Sequence, residues 1–212
     1  MFVDARRLDS GLHITSDVCI VGAGAAGITL ALELAKHSID VTLLEGGGMG
    51  ADPATQQLYA GESIGITHDR PEDSRSRYLG GSTNCWGGWC RPLDDFDFTE
   101  RAWIPDSGWP ISKSDLAPFY ARSHDLLQLG PPDYSTQFWR ERMDARGAEL
   151  MDLAGATIQN VLNQLSPPTR FGRAYRDQLE TAQNIKVYLF ANAAEIQTTH
   201  SGTEVSSILV RR

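Results

Sequence analysis

Two apolar runs near the start of the chain, "DVCIVG" (17–22) and "DVTLLEGG" (40–47), each close on glycine. Runs this short, without polar alternation, predict strands buried on both faces, the pattern of a parallel sheet. Between them "AGITLALELAKHSI" sets Ile28, Leu30, Leu32, Leu34 and Ala35 at helical spacing. Strand, glycine-rich turn, helix and strand in about 30 residues make a βαβ unit.

The pattern then loosens. Residues 50–76 are polar, with Gly, Pro and Asp scattered through them, and predict an extended excursion. In "GWPISKSDLAPFYARSHDLLQL", Ser114 is the expected N-cap of a helix with Leu116, Phe119, Tyr120 and Leu127 on its apolar face. Pro118 falls in its first turns. Residues 137–153 and 169–183 predict two weakly amphipathic helices. The end changes character: "IKVYLFAN", "AEIQTTH" and "TEVSSILVRR" are three short β-type runs, with Gly202 suited to a turn between the last two. That tail predicts a β-meander.

Composition narrows the class. With 212 residues, 41% hydrophobic and 22% charged, the chain has ordinary globular proportions. A net charge of −8 disfavours a nucleic-acid surface, which needs clustered cations. No apolar run approaches the roughly 20 residues of a membrane span. The N-terminus lacks a signal-peptide core, so a cytoplasmic protein is expected. Three cysteines do not make a disulfide framework.

Chemistry enters at "VGAGAAG". Gly22, Gly24 and Gly27 form G-x-G-x-x-G after a buried strand and at the start of a helix. Gly22 permits the tight turn, Gly24 lets backbone approach a pyrophosphate, and Gly27 lets helix and strand pack closely. The helix opening on Ala25, Ala26 and Gly27 offers N–H groups and a partial positive charge to the anion. Glu45 ends the second strand, 18 residues after Gly27, where a carboxylate can accept from ribose hydroxyls. A carboxylate there disfavours a 2′-phosphate, and hence NADP. The long excursion after the second strand suits FAD better than NAD; a dinucleotide-binding module without catalysis and an NAD-dependent dehydrogenase stay open on these residues.

The stretch "RYLGGSTNCWGGWC" (77–90) is open to more readings: a metal site, a redox disulfide, a turn or a cofactor cradle. Cys85 and Cys90 have four residues between them, which is not the C-x-x-C spacing of zinc or thioredoxin-like sites. With Cys19 expected to be buried in the first strand, no metal site is expected. Trp86 and Trp89 fit a flavin or substrate wall as well as core packing.

"DVCIVGAGAAGITLALELA", "VTLLEGGG", "RYLGGSTNCWGGWCRPLDDFDF", "GWPISKSDLAPFYARSHDLLQL" and "VYLFANAAEIQ" together resemble the glucose–methanol–choline (GMC) oxidoreductases, which use FAD. They occur in that family's order over nearly the whole chain. "STNCWGG" and "GWPIS" are similar to the sugar- and polyol-oxidising branch. The resemblance implies an α/β fold: a Rossmann-like FAD/NAD(P)-binding βαβ unit with a C-terminal β-meander and inserted helices. It implies an FAD-binding part over 1–110 with a flavin-contacting loop at 77–92, a helical segment over 111–183, and the meander over 184–212.

It further implies that Gly80, Gly81, Ser82, Thr83 and Asn84 neighbour the flavin, and that Ala194 meets the adenine through backbone. Position 85, where some members hold a histidine bonded to the flavin, is Cys85 here, so non-covalent FAD is expected. The implied substrate is a small alcohol or sugar. Family members continue past this length with a further sheet strand and a His–His or His–Asn pair carrying the base. Catalytic residues are therefore expected beyond residue 212, and this stretch is expected to be inactive alone. His13, His37, His68, His124 and His200 are scattered and read as surface or capping residues, and Asp94, Asp95 and Asp97 as a solvated loop.

Overall fold

The computed structural model describes residues 1–66, 68–144, 147, 149–153 and 157–212. In chain order the elements are β1 (Phe2–Asp4), β2 (Val18–Val21), α1 (Ala25–Ala35), β3 (Val41–Leu44), α2 (Pro53–Gln56), α3 (Pro71–Ser74), β4 (Trp89–Cys90) and α4 (Asp95–Phe98). There follow α5 (Lys113–Leu127), α6 (Thr136–Asp144), β5 (Gln164–Leu165), α7 (Phe171–Ala174), α8 (Arg176–Thr181), β6 (Ile185–Leu189), β7 (Asn192–Thr198) and β8 (Val205–Arg211). Two compact units result: residues 1–86 with 170–212, and residues 87–169. These cuts fall elsewhere than 110/111 and 183/184.

The first unit is built on a four-stranded parallel sheet in the order β1-β6-β3-β2. Central β3 is buried along its whole length, and β6 at four of five positions. That double-sided burial is why both runs lack alternation. The core joins Val41, Leu43, Ile185 and Val187 of the sheet to Ile28 of α1, Leu179 of α8 and Phe171 of α7. The βαβ unit and the α/β class match the expectation.

Several expectations need correction. Cys19 is exposed, because β2 is the edge strand and only Ile20 of its four residues is buried. On α1 the buried face is Ile28 and Ala31, and Leu30 is exposed. The run at 185–189 joins the parallel sheet as β6, between β1 and β3, so only β7 and β8 pair antiparallel in the tail. The N-terminal strand β1, too short to carry a pattern, was not expected. Two helices rather than one occupy 169–183, separated at Tyr175, whose φ of −110° and ψ of 8° interrupt the helical path. The excursion at 50–76 contains the single turns α2 and α3, each opened by proline at its first position.

In the second unit, β4 and β5 pair through Trp89 with Leu165 and Cys90 with Gln164. Helix α5 starts at Lys113, capped by Ser112 rather than Ser114. Asp115 accepts from both the Ser112 N–H (2.8 Å) and its hydroxyl (2.7 Å), which fixes that start. Its apolar and aromatic residues Leu116, Tyr120, Leu126 and Leu127 are half-buried and His124 is buried, while Phe119 is exposed. The helix expected over 137–153 ends at Asp144; residues 145, 146 and 148 lie outside the described set, and 149–153 are not helical. Asp94, Asp95 and Asp97 open the short helix α4, where Asp97 accepts from the Asp94 N–H at 2.8 Å.

Candidate cofactor site

The glycine motif forms the turn that its spacing predicts. Gly22 sits at φ +96° and donates its N–H to Leu44 at 2.7 Å, holding the end of β2 to β3. A Cβ on Gly27 would lie 1.9 Å from the Gly22 carbonyl oxygen, so the helix crosses the turn at a distance only glycine allows. Gly24 is the N-cap of α1, and a Cβ there would meet nothing within 4 Å. The first intrahelical bond is from Ile28 to Gly24, and no side chain caps the helix. The N–H groups of Ala25, Ala26 and Gly27 thus open the helix beside clear space, an arrangement that fits a phosphate.

Glu45 is 6% exposed, and its carboxylate is already engaged by backbone. Oε2 accepts from Ala23 N–H at 3.0 Å and Oε1 from Gly47 N–H at 2.8 Å. A carboxylate has about four acceptor positions, so capacity remains for ribose hydroxyls. Its first task is local: it locks the motif turn to the end of β3.

Ala23 also joins the turn to the second candidate segment. Its carbonyl accepts from Gly80 N–H at 2.8 Å, and a Cβ on Gly81 would stand 3.0 Å from Gly24 Cα. The cradle at 22–27 and the loop at 80–84, more than fifty residues apart, therefore meet backbone to backbone. Ala23 was not among the expected residues; it acts through its main chain, and nothing in its side chain could have revealed it.

Within the loop, Gly80 (φ +97°) and Gly81 (φ +54°) lead into a 3₁₀ turn over Gly81–Asn84. A Cβ on Gly80 would lie 2.7 Å from Gly172 N. The immediate need for this bare backbone is thus protein packing, against Gly172 on one side and Gly24 on the other. Thr83 donates its hydroxyl to Gly80 O at 2.6 Å and accepts from Phe171 N–H at 3.1 Å. Asn84 donates to Leu79 O (3.0 Å) and Gly81 O (2.9 Å). Both side chains brace the loop. Ser82 accepts from Ser76 N–H at 3.5 Å, and Cys85 is exposed with its sulfur 3.4 Å from Ser82 O.

Ala194 stands at a bulge of β7. The register steps from Ala193 opposite Val210 to Glu195 opposite Leu209, leaving Ala194 without a cross-strand partner residue. Arg77, also not foreseen, donates to Asn192 Oδ1 at 2.6 Å and ties the loop to the start of β7. Trp86 is half-buried and Trp89 is 69% exposed, so core packing does not account for Trp89.

The second unit holds a cavity of about 470 Å³ lined by Arg91, Lys113, Tyr120, His124, Tyr134 and Asn160 among others. None of the expected cofactor residues lines it. His124 corrects the surface reading, being 5% exposed. Its Nδ1 donates to Gly130 O at 2.8 Å, and its Nε2 lies 3.3 Å from the Tyr134 hydroxyl. Among the described residues no group of three His, Cys, Asp or Glu could hold a metal ion, and no helix is long and apolar enough to cross a membrane.

Comparison with known proteins gives the family and the fold. The family model for FAD dependent oxidoreductases matches residues 17–208. The 6'''-hydroxyparomomycin C oxidase of Streptomyces lividus is 31% identical over 116 residues, 49% of this chain and 21% of that protein. Three solved structures share the fold: pyridoxine 4-oxidase from Mesorbium loti (TM-score 0.52, 20% identity), a fungal aryl-alcohol oxidase (0.54, 15%) and a formate oxidase (0.55, 16%). They cover 92%, 94% and 92% of this chain, which spans 46%, 42% and 42% of theirs. All three are GMC oxidoreductases, so the resemblance read from the sequence holds at the level of fold. The chain belongs to the FAD-dependent oxidoreductase family.

Proposed function

We propose that this chain is the FAD-binding portion of a GMC-type oxidoreductase that oxidises a CH–OH group of a small alcohol or sugar. One observation carries the reading: clear space at Gly24 adjoins the point where Gly81 backbone meets the helix N-terminus. In this proposal the N–H groups of Ala25, Ala26 and Gly27 hold the pyrophosphate, and Glu45 takes the ribose. The turn at 80–84 lies along the flavin, held in shape by the packing of Gly80 and Gly81, and the Ala194 bulge meets the adenine. When bound, FAD supplies the hydride acceptor. Cys85 occupies the attachment position of some relatives, and the cofactor is held without a covalent bond.

Purified protein mixed with FAD tests this directly. We expect bound flavin absorbance, and release of all the flavin to the supernatant when the protein is precipitated with acid. A folded protein that leaves FAD free in solution defeats the proposal. Quenching of tryptophan fluorescence by NADH but not by FAD transfers the site to a pyridine nucleotide instead. Flavin that stays with the acid precipitate defeats the non-covalent part.

A further inference from the structure

We propose that Arg170 is a positioning residue for the cofactor loop, acting through backbone and through its charge. It is the first residue of the chain's return to the first unit. From that point its Nη1 donates to Thr83 O at 2.6 Å and to Trp86 O at 3.0 Å. The next two residues continue the contact: Phe171 N–H donates to the Thr83 hydroxyl at 3.1 Å, and Gly172 lies where a Cβ would meet Leu79 O at 2.3 Å. Residues 170–172 thus form a back plate for residues 79–86. Arg170 is the part of it that spans the turn, from Thr83 to Trp86.

No described carboxylate pairs with Arg170, in contrast to Arg6, Arg70 and Arg91, which pair with nearby acids. Among the described residues its guanidinium donates to these two carbonyls. Bonds from a charged donor are the stronger kind, so this pair contributes to holding the loop's shape. An unneutralised cation behind the loop also favours any electron-rich state of a cofactor lying along it. That second effect rests on the flavin reading above; the first does not.

Both bonds come from a single nitrogen, which gives a clean series of variants. Arg170→Lys keeps a cationic nitrogen with several donors, Arg170→Gln keeps an NH₂ without charge, and Arg170→Met keeps neither. Backbone amide exchange over residues 80–86 is measured first in flavin-free protein. We expect exchange about 10-fold faster or more in Arg170→Met, with residues 25–35 unchanged and Arg170→Lys close to the parent. Unchanged exchange at 80–86 in Arg170→Met overturns the clamp. If that variant does not fold, Arg170→Gln compared with Arg170→Lys decides the same point.

The second measurement is the flavin midpoint potential of loaded protein. We expect it to fall in Arg170→Gln and Arg170→Met and to hold in Arg170→Lys. Equal potentials across the series overturn the electrostatic part, because a merely structural support would leave them equal. A parent protein that binds no flavin defeats the cofactor reading, while the exchange series still decides the clamp.

Discussion

The two glycine-rich segments of the first unit are bare for opposite reasons. At Gly24 a Cβ would project into clear space, whereas at Gly80 and Gly81 it would strike Gly172 N at 2.7 Å and Gly24 Cα at 3.0 Å. Gly27, inside the same motif as Gly24, belongs with the crowded pair, since its Cβ would meet Gly22 O at 1.9 Å. Openness marks the side that a ligand would use. Crowding marks scaffold, where the protein's own backbone fills the place of the missing side chain. A glycine motif therefore combines two kinds of position, and substitution separates them.

The largest expected effect is at a crowded position. Gly27→Val puts a branched side chain into backbone that cannot yield, and overpacking of this kind costs about 3 kcal/mol or more. Against typical domain stabilities of about 5–15 kcal/mol, that is a large fraction. We expect denaturant unfolding to shift to markedly lower midpoints; an unaltered midpoint would show that α1 can move off the turn. At the open position the loss is in binding instead. Gly24→Val should keep stability within about 1 kcal/mol of the parent while lowering FAD affinity by roughly 100-fold, the equivalent of ~3 kcal/mol. Flavin titration beside an unfolding curve checks both halves. Equal losses of stability at Gly24 and Gly27 would erase the distinction drawn between them.

The same distinction explains what was legible in the sequence. The βαβ unit and the motif turn are local: strand, turn and helix lie within 17–44, and the unbroken apolar run of β3 follows from burial on both faces of the sheet, whereas β2 stands at its edge. Glu45 was legible by its place at a strand end, though not its bonds to Ala23 and Gly47. The loop at 80–84 was found through family likeness, and its bracing was invisible because the partners Arg170 and Gly172 lie about ninety residues downstream. Nothing in "PPTRFG" distinguishes an arginine that donates to distant carbonyls from one that faces water. The tail was misread for a related reason. The run at 185–189 carries no sign of its neighbours, and its place between β1 and β3 depends on a three-residue strand at the N-terminus.

A smaller effect tests the crowded pair from its other member. Gly80→Ala combines a left-handed backbone at φ +97° with the approach to Gly172 N, for an expected cost of about 2–3 kcal/mol. Gly172→Ala meets Leu79 O at 2.3 Å and should cost a similar amount, and the double variant should not cost the sum, because both disturb one contact. Additive losses in unfolding midpoints would mean that Gly80 and Gly172 are not coupled.

The smallest effect concerns Cys85, which the family resemblance sets at the position where some members bond their flavin. It is exposed at the end of the 3₁₀ turn. Burial pushes up the thiols of Cys90 and of Cys19, whose sulfur is partly desolvated although the residue stands exposed on the edge strand. A raised thiol holds less reactive thiolate at a given pH and gains it only as pH rises toward the elevated value. Near pH 7.5, iodoacetamide should therefore label Cys85 first, and added FAD should slow that labelling several-fold while leaving Cys19 unchanged. Gly24→Val should remove the protection without altering labelling in the absence of FAD. Protection of Cys19 instead would place the cofactor away from the 80–84 loop, and protection of Cys85 that survives Gly24→Val would place it away from the open position at Gly24; in either case the contrast between open and crowded positions would be one of packing alone.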